Sequence, residues 1–491
     1  MKRFLAYLLF TAMLLATLVA CNGSTEESSL NSSTDISETV NDEYKDAEGN
    51  YVPKHTVKDM QNRTFTIIVK GPSHATYASD DFESNSGMYG ELIEEAVTKR
   101  NDTVEKLYNV QLNVISSDDI NQDILLDCQS NLGTYDAIMP NLSYLSTLAS
   151  QEYLYELTSI DTFDINAPWY DKNCTEAFSI GNKVYFTTGD LTILNKVNTP
   201  SVLFNKEMAK KYYPDIDFYQ LVRDGKWDFD TLVQCAKDVA VIATSDGSYS
   251  DDNQYGMVTA YGDPIRFYIG SGERICEKDA DDLPYIALGS NERSITVSQK
   301  ILSTMASANW LIYAEKCEAP IWETSFAIFY EGRALFRPGV FSATTKLRSL
   351  SEIEFGVLPI PKMDSTQDSY YSYCGTGSTA GIGIPICAKD PEFSAYMIEA
   401  YSAWAKNFVT PAYYEVNLRY KDLRDDESEE MLDIIFGNMV YDIGACFNFG
   451  SLSSMFSELA KAGTSDVTSY IDARRDQAQF DIEDILGVYG D

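Results

Sequence analysis

Histidine is nearly absent: of 491 residues only His55 and His74 carry an imidazole. Zinc sites of the HExxH kind and Ser-His-Asp or Cys-His nucleophilic catalysis therefore lack their parts. Bases are scarce too, 38 against 74 acids, and the formal charge is −36. A field of that sign repels phosphate backbones and anionic headgroups, which argues against nucleic acid as a partner. GxxxxGK[ST], GxGxxG and GxSxG are all missing, and the nearest run, Gly375-Thr376-Gly377-Ser378-Thr379-Ala380-Gly381, has the wrong spacing to cradle phosphate. The nine cysteines include no CxxC pair. Beyond Cys21, the eight others (Cys128, Cys174, Cys235, Cys276, Cys317, Cys374, Cys387, Cys446) are too scattered for a zinc site or a disulfide framework and read as small buried side chains. Asp246-Gly247-Ser248 with Asp251-Asp252 approaches a calcium loop but misses its regular ligand positions and closing glutamate, so no metal and no cofactor is expected. One enzymatic chemistry stays open: paired carboxylates for glycoside cleavage, whose separation of roughly 5–9 Å is set by the fold and not by sequence spacing.

What is present begins at the amino end. Met1-Lys2-Arg3 precedes an uncharged apolar stretch from Phe4 to Ala20, the pattern of an export signal. It ends Leu18-Val19-Ala20-Cys21, which looks like a bacterial lipobox, so residues 1–20 are expected to be removed and Cys21 to carry lipid. Two or more acyl chains on one residue give lasting attachment to the outer face of the cytoplasmic membrane. From Asn22 to about Lys58 the chain is Ser, Thr, Asn, Asp and Glu with few apolar residues, and residues 21–62 are read as the lipidated cysteine and a flexible tether. The remainder, from Arg63 to Asp491, is longer than one hydrophobic core normally serves and predicts two lobes. It contains no second long apolar run.

The body opens with a β-branched run, Thr64 to Val69, stopped by Gly71-Pro72. Ile93, Val97, Val104, Leu107 and Tyr108 recur at helical spacing, with Asn101-Asp102 as a possible break. Val110, Leu112 and Val114 alternate as a strand, Ile120 to Cys128 is helical, and Tyr135 to Met139 is a third strand. Strand, helix, strand, helix, strand implies a parallel sheet, whose ligands bind beyond the carboxyl ends of the strands, after Val69 and after Met139. Val202 to Phe204 is a further strand, and Asp228 caps a helix through Leu232. Aromatic residues are abundant, with 33 Tyr, 23 Phe and 5 Trp. Such rings stack on the C–H faces of sugars while Asp, Asn and Glu take the hydroxyl hydrogen bonds.

Several segments together resemble the extracellular solute-binding proteins of carbohydrate ABC importers, the family that includes maltose-binding protein. They are Val104 to Val110, Tyr135-Asp136-Ala137-Ile138, Ile180-Gly181-Asn182-Lys183-Val184-Tyr185, Leu203-Phe204-Asn205-Lys206-Glu207, Phe329 to Leu335, and Phe355-Gly356-Val357-Leu358-Pro359-Ile360-Pro361. The resemblance implies an α/β, two-lobed periplasmic-binding-protein fold of type II, with the ligand cleft between lobes joined by hinge segments. It implies lobe 1 at 63–198 with 380–435 and lobe 2 at 199–379 with 436–491. The crossings fall near Asn195 to Pro200, near Cys374 to Ile384, and between Leu432 and Gly444.

The family's ligand positions fall on Asn141 and Ser143, on Asn198 and Thr199, and on Phe341. Maltose-binding protein has charged or aromatic residues at the first four, a departure that points away from a maltodextrin. Chemistry adds Trp169, Tyr170, Asp190, Phe447 and Asn448 in loops, then Tyr261 with Asp263 and Tyr371 with Tyr373. For each the alternative is packing or capping, while Trp310 and Trp322 read as core. The expected function is capture of a sugar or oligosaccharide, without catalysis, by a monomer that delivers it to the transmembrane subunits of an ABC permease. A peptide ligand, a surface glycoside hydrolase and a non-transport sensor or adhesion lipoprotein remain as alternatives.

Overall fold

The computed structural model describes residues 42–85, 89–244, 248–350, 353–414 and 426–490; Cys21, the export signal, and Asp246 and Gly247 of the run that approaches a calcium loop lie outside them. Lobe 1 is built on three parallel strands, β1 (Arg63–Lys70), β2 (Val110–Ser117) and β3 (Ala137–Met139), in the order β2-β1-β3. The intervening segments fold as the helices Glu91–Tyr108 and Ile120–Ser130. Both faces of β1 are buried, as a parallel strand requires. Ile67 and Val69 pack with Ile93, Val97 and Met397, while Ile68 packs with Ile120, Ile124 and Leu145. The helix across Asn101-Asp102 is unbroken because Arg100 Nε donates to Asn101 Oδ1 and Asn101 Nδ2 donates to Phe82 O, so the polar pair is satisfied without leaving the helix.

Lobe 2 carries a mixed sheet. It contains β4 (Pro200–Asn205), β5 (Tyr255–Thr259), a small hairpin of β6 (Cys276–Lys278) and β7 (Pro284–Ile286), then β8 (Leu311–Tyr313), β9 (Ala334–Val340) and β10 (Phe355–Leu358). The main sheet runs β10-β4-β9-β5-β8. Asp228 caps the helix Phe229–Val239 through the Thr231 amide at 2.8 Å. Trp310 is buried beside β8, but Trp322 stands in the first turn of the helix Ile321–Tyr330 with 49% of its surface exposed, so it is not core.

The chain passes from lobe 1 to lobe 2 through the helix Leu194–Val197 into β4. It returns after β11 (Ser372–Tyr373), where Gly381, Ile382 and Gly383 bond to Pro140, Thr187 and Ile138 and extend the lobe 1 sheet. The long helix Pro391–Tyr414 then packs on Glu91–Tyr108 in lobe 1. The helix Asp426–Gly437, expected in lobe 1 as far as residue 435, instead sets Leu432, Ile435 and Phe436 among Leu203, Tyr255 and Val357 of lobe 2. β12 (Met439–Val440) still runs beside the hinge, paired with β11.

The described part of the expected tether is not free of the body. Residues 43–62 lie on lobe 1 as a strap, because they carry aromatic and apolar side chains among the polar ones. Tyr44 is buried edge-on against Trp169 and donates to Asp164 at 2.6 Å. Tyr51 exchanges backbone hydrogen bonds with the Asn407 amide, and His55 stacks on Tyr396 with ring centroids 3.7 Å apart.

Candidate functional site

The strand directions bring one edge of each lobe toward the crossings. In lobe 1, β1 and β3 end at Lys70 and Met139. In lobe 2, β5, β8 and β9 are parallel and end at Thr259, Tyr313 and Val340, and β4 enters at the same edge because Pro200 pairs with Val340. The loops after these ends are where an open α/β sheet binds ligand.

On lobe 1, Lys70 Nζ donates to Asn141 Oδ1 and to Ser378 O, both at 2.8 Å, and Asn141 Nδ2 donates to Gly377 O at 2.7 Å. The Leu142 and Ser143 amides bond to Thr379 O and Thr376 O. The glycine-rich run 375–381 is therefore a crossing segment clasped to the loop after β3. Burial holds the Lys70 ammonium far below its usual range, at about 7, against the pull of Asp81. His74 is lowered as well, by burial first and then by the nearby Lys70 charge. Asn141 and Ser143 are both partly exposed at this edge.

On lobe 2, Tyr261 is partly exposed and stacks on Tyr313 with centroids 4.4 Å apart, while its amide bonds to Glu315. Asp263 is fully engaged by Thr259 Oγ1, the Ala260 amide and Arg266, so it shapes the turn. Arg337 donates to Ser325 O at 3.1 Å and lies 3.9 Å from the Phe326 ring centroid. Burial lowers its guanidinium to about 10.

The remaining expected contacts are placed elsewhere or turned inward. Trp169, 1% exposed, is covered by Tyr44 of the strap, and the buried Tyr170 donates to Glu399 at 2.8 Å. Asp190 is buried between Lys406 at 3.2 Å, Thr410 at 2.7 Å and Lys196 at 3.7 Å. Asn198 and Thr199 bond to the backbone of their own crossing segment, at Leu194 O and Asn195 O. Phe341, 2% exposed, packs at a tilt on Phe436 with ring centroids 4.8 Å apart. Tyr373 is buried in the hinge, and Tyr371 is partly exposed with its hydroxyl on Asp368. Phe447 packs on Phe449 and Phe186 beside the exposed Asn448. Asn141, Ser143 and Tyr261 thus remain as partly exposed groups at the facing edges.

No family model and no curated protein matches this chain by sequence. Solved structures do match by shape. A cyclo/maltodextrin-binding protein complexed with maltotetraose is 12% identical, with 87% of this chain and 98% of that one covered and a TM-score of 0.55. An ABC transporter solute binding protein from Thermotoga lettingae TMO, bound with alpha-D-tagatose, is 13% identical over 86% and 100%, at 0.52. The GacH receptor of Streptomyces glaucescens GLA.O, described unliganded and with acarbose, is 13% identical over 88% and 99%, at 0.51. The chain has the type II periplasmic-binding-protein fold.

Within this fold, two groups at the lobe edges went unnoticed in the sequence. Lys70 follows a β-branched run, and its charge reads as the end of the strand. Yet it lies one residue beyond Val69 at a position whose neighbours are all buried. Tyr313 sits in a three-residue strand too short to show a pattern. Among the described residues no helix is long and apolar enough to cross a membrane.

Proposed function

We propose that this protein is the substrate-binding lipoprotein of an ABC importer. It is exported, cut before Cys21, held by lipid on the outer face of the cytoplasmic membrane, and acts as a monomer. It captures a sugar or oligosaccharide between its lobes and delivers it, unaltered, to the transmembrane subunits of a permease. The observation that carries this reading is the fold match over nearly the whole length of proteins described with maltotetraose, acarbose and tagatose. The half-exposed Tyr261, backed by Tyr313, offers a flat ring for the C–H face of a sugar, and Asn141, Ser143 and Glu315 offer hydroxyl partners. Asn141 and Ser143, where maltose-binding protein has charged or aromatic residues, favour a ligand other than a maltodextrin. Hinge closure of one lobe on the other is the motion by which such proteins retain ligand.

The test is a thermal-shift screen of the protein against mono- and oligosaccharides. A ligand at a hundred times its dissociation constant stabilises by about 2.7 kcal/mol. A raised midpoint with one sugar series, and recovery of that sugar unchanged, is the expected result. No shift with any sugar, and a shift with peptides, overturns the carbohydrate assignment; product release overturns the non-catalytic one.

A further inference from the structure

We infer that Cys128 and Cys387 close into a disulfide that staples the two sequence halves of lobe 1. Cys128 ends the helix Ile120–Ser130, and Cys387 lies in the segment by which the chain re-enters lobe 1, 259 residues later. Their sulfurs are 3.8 Å apart, and all eight body cysteines are free and buried. Among the described residues no other pair of sulfurs is recorded in contact. A disulfide needs about 2 Å, a closure of the order that rotation about the side-chain bonds can supply.

The approach of the two backbones is held by more than the thiols. Gly133, just after the helix, has a left-handed φ of +60°, and a Cβ there would lie 2.5 Å from Cys387 O. The Ala388 amide closes a turn on Pro385 O, and the Ile386 amide bonds to Tyr153 O. The cysteine loop is therefore pressed on the helix end at a position that tolerates no spacer. Asp127 Oδ2 accepts a hydrogen bond from the Cys387 thiol at 3.1 Å and fixes that sulfur beside Cys128.

The inference rests on the export reading above, since thiols persist in a reducing cytosol and pair outside it. The oxidant is the disulfide form of a thiol–disulfide oxidoreductase, or a low-molecular-weight disulfide, met after export. A Cys128 thiolate attacks its sulfur and releases one thiol; the Cys387 thiolate then attacks Cys128 and releases the second. Two protein thiols lose two electrons, and the oxidant's disulfide gains them, with the two protons, as two thiols. Because both cysteines are buried in the native fold, closure takes place while lobe 1 is still folding. The staple lies within lobe 1 and leaves the hinge free to close.

The experiment uses the full chain, exported and purified without reductant, then denatured and alkylated. Six of the eight body cysteines should label, all eight after reduction, with one cross-linked peptide joining Cys128 to Cys387 and a mass deficit of about 2 Da. Eight labelled cysteines, in protein as purified and again after refolding with oxidised glutathione, overturn the inference, as does a cross-link between any other pair. Sugar-induced thermal shifts on the same sample separate the two readings. Binding with eight free thiols removes only the staple, and a staple without binding removes only the sugar.

Discussion

Replacing Lys70 with methionine should uncouple stability from pH above neutrality. The lysine is 1% exposed, and both of its acceptors, Asn141 Oδ1 and Ser378 O, are neutral. Its folded pKa of about 7 lies below the ordinary 10.5, so between these values the folded state binds fewer protons than the unfolded state and stability rises with pH. Below about 7 the cost of burying the charge is present in full, roughly 5 kcal/mol at most from a depression of that size. Methionine escapes this cost but leaves two acceptors unpaired, at about 1–3 kcal/mol each. The two effects nearly cancel at pH 6, so the absolute change there decides nothing. The pH dependence decides. Between pH 7 and 9 wild type should gain roughly 2 kcal/mol that Lys70→Met lacks. Urea unfolding of both proteins at pH 6, 7, 8 and 9 measures this, and groups common to both cancel in the difference. Of the groups facing the amine, the Asp81 carboxyl is raised by its burial and the His74 imidazole is lowered by burial and then by the Lys70 charge, and both are present in the two proteins compared. A constant offset between the two proteins across the series would refute the argument.

Glu399 carries the opposite sign. Burial raises its carboxyl to about 8, despite donation from Tyr170 and the Asp164 amide, so its contribution is fully present below about 4.5 and is lost as pH rises through 8. Glu399→Gln keeps an acceptor oxygen and should exceed wild type by roughly 5 kcal/mol at most at pH 9 while matching it at pH 4; equal stabilities at both would sink the idea. Gly189→Ala puts a Cβ 2.1 Å from Trp169 O and 2.9 Å from Tyr170 Cα, which should cost about 1–3 kcal/mol in thermal or urea unfolding. An unchanged midpoint would show that the loop can move aside. Tyr261→Ala should lower sugar affinity about tenfold by calorimetry, near 1.4 kcal/mol, with little change in melting, because the ring is partly exposed and backed by Tyr313 on one face. Unchanged affinity would place the sugar elsewhere.

The architecture was legible where a physical constraint acts on many residues at once. β1 and β3 follow from apolar runs because a parallel strand buried on both faces has no polar alternation to confuse, and β2 follows from the alternation of Val110, Leu112 and Val114. Near the motif at Asn205-Lys206 the chain runs from the helix Leu194–Val197 into β4. Ligand contacts are a different problem, because the same side-chain chemistry serves packing. Trp169 and Tyr170 have the composition of a sugar platform, yet their partners are Tyr44 and Glu399 of the same chain. Asp190 looks like a hydroxyl acceptor, yet two lysines and a threonine occupy it. The strap escaped notice for the converse reason. Its few apolar residues, Tyr44, Tyr51 and Val52, cannot form a core of their own, and a surface already built by lobe 1 is what makes their burial favourable. A segment poor in apolar residues is therefore free only if no neighbouring surface has a place for those it has, and in this chain the long helix Pro391–Tyr414 provides that place through Tyr396 and Asn407.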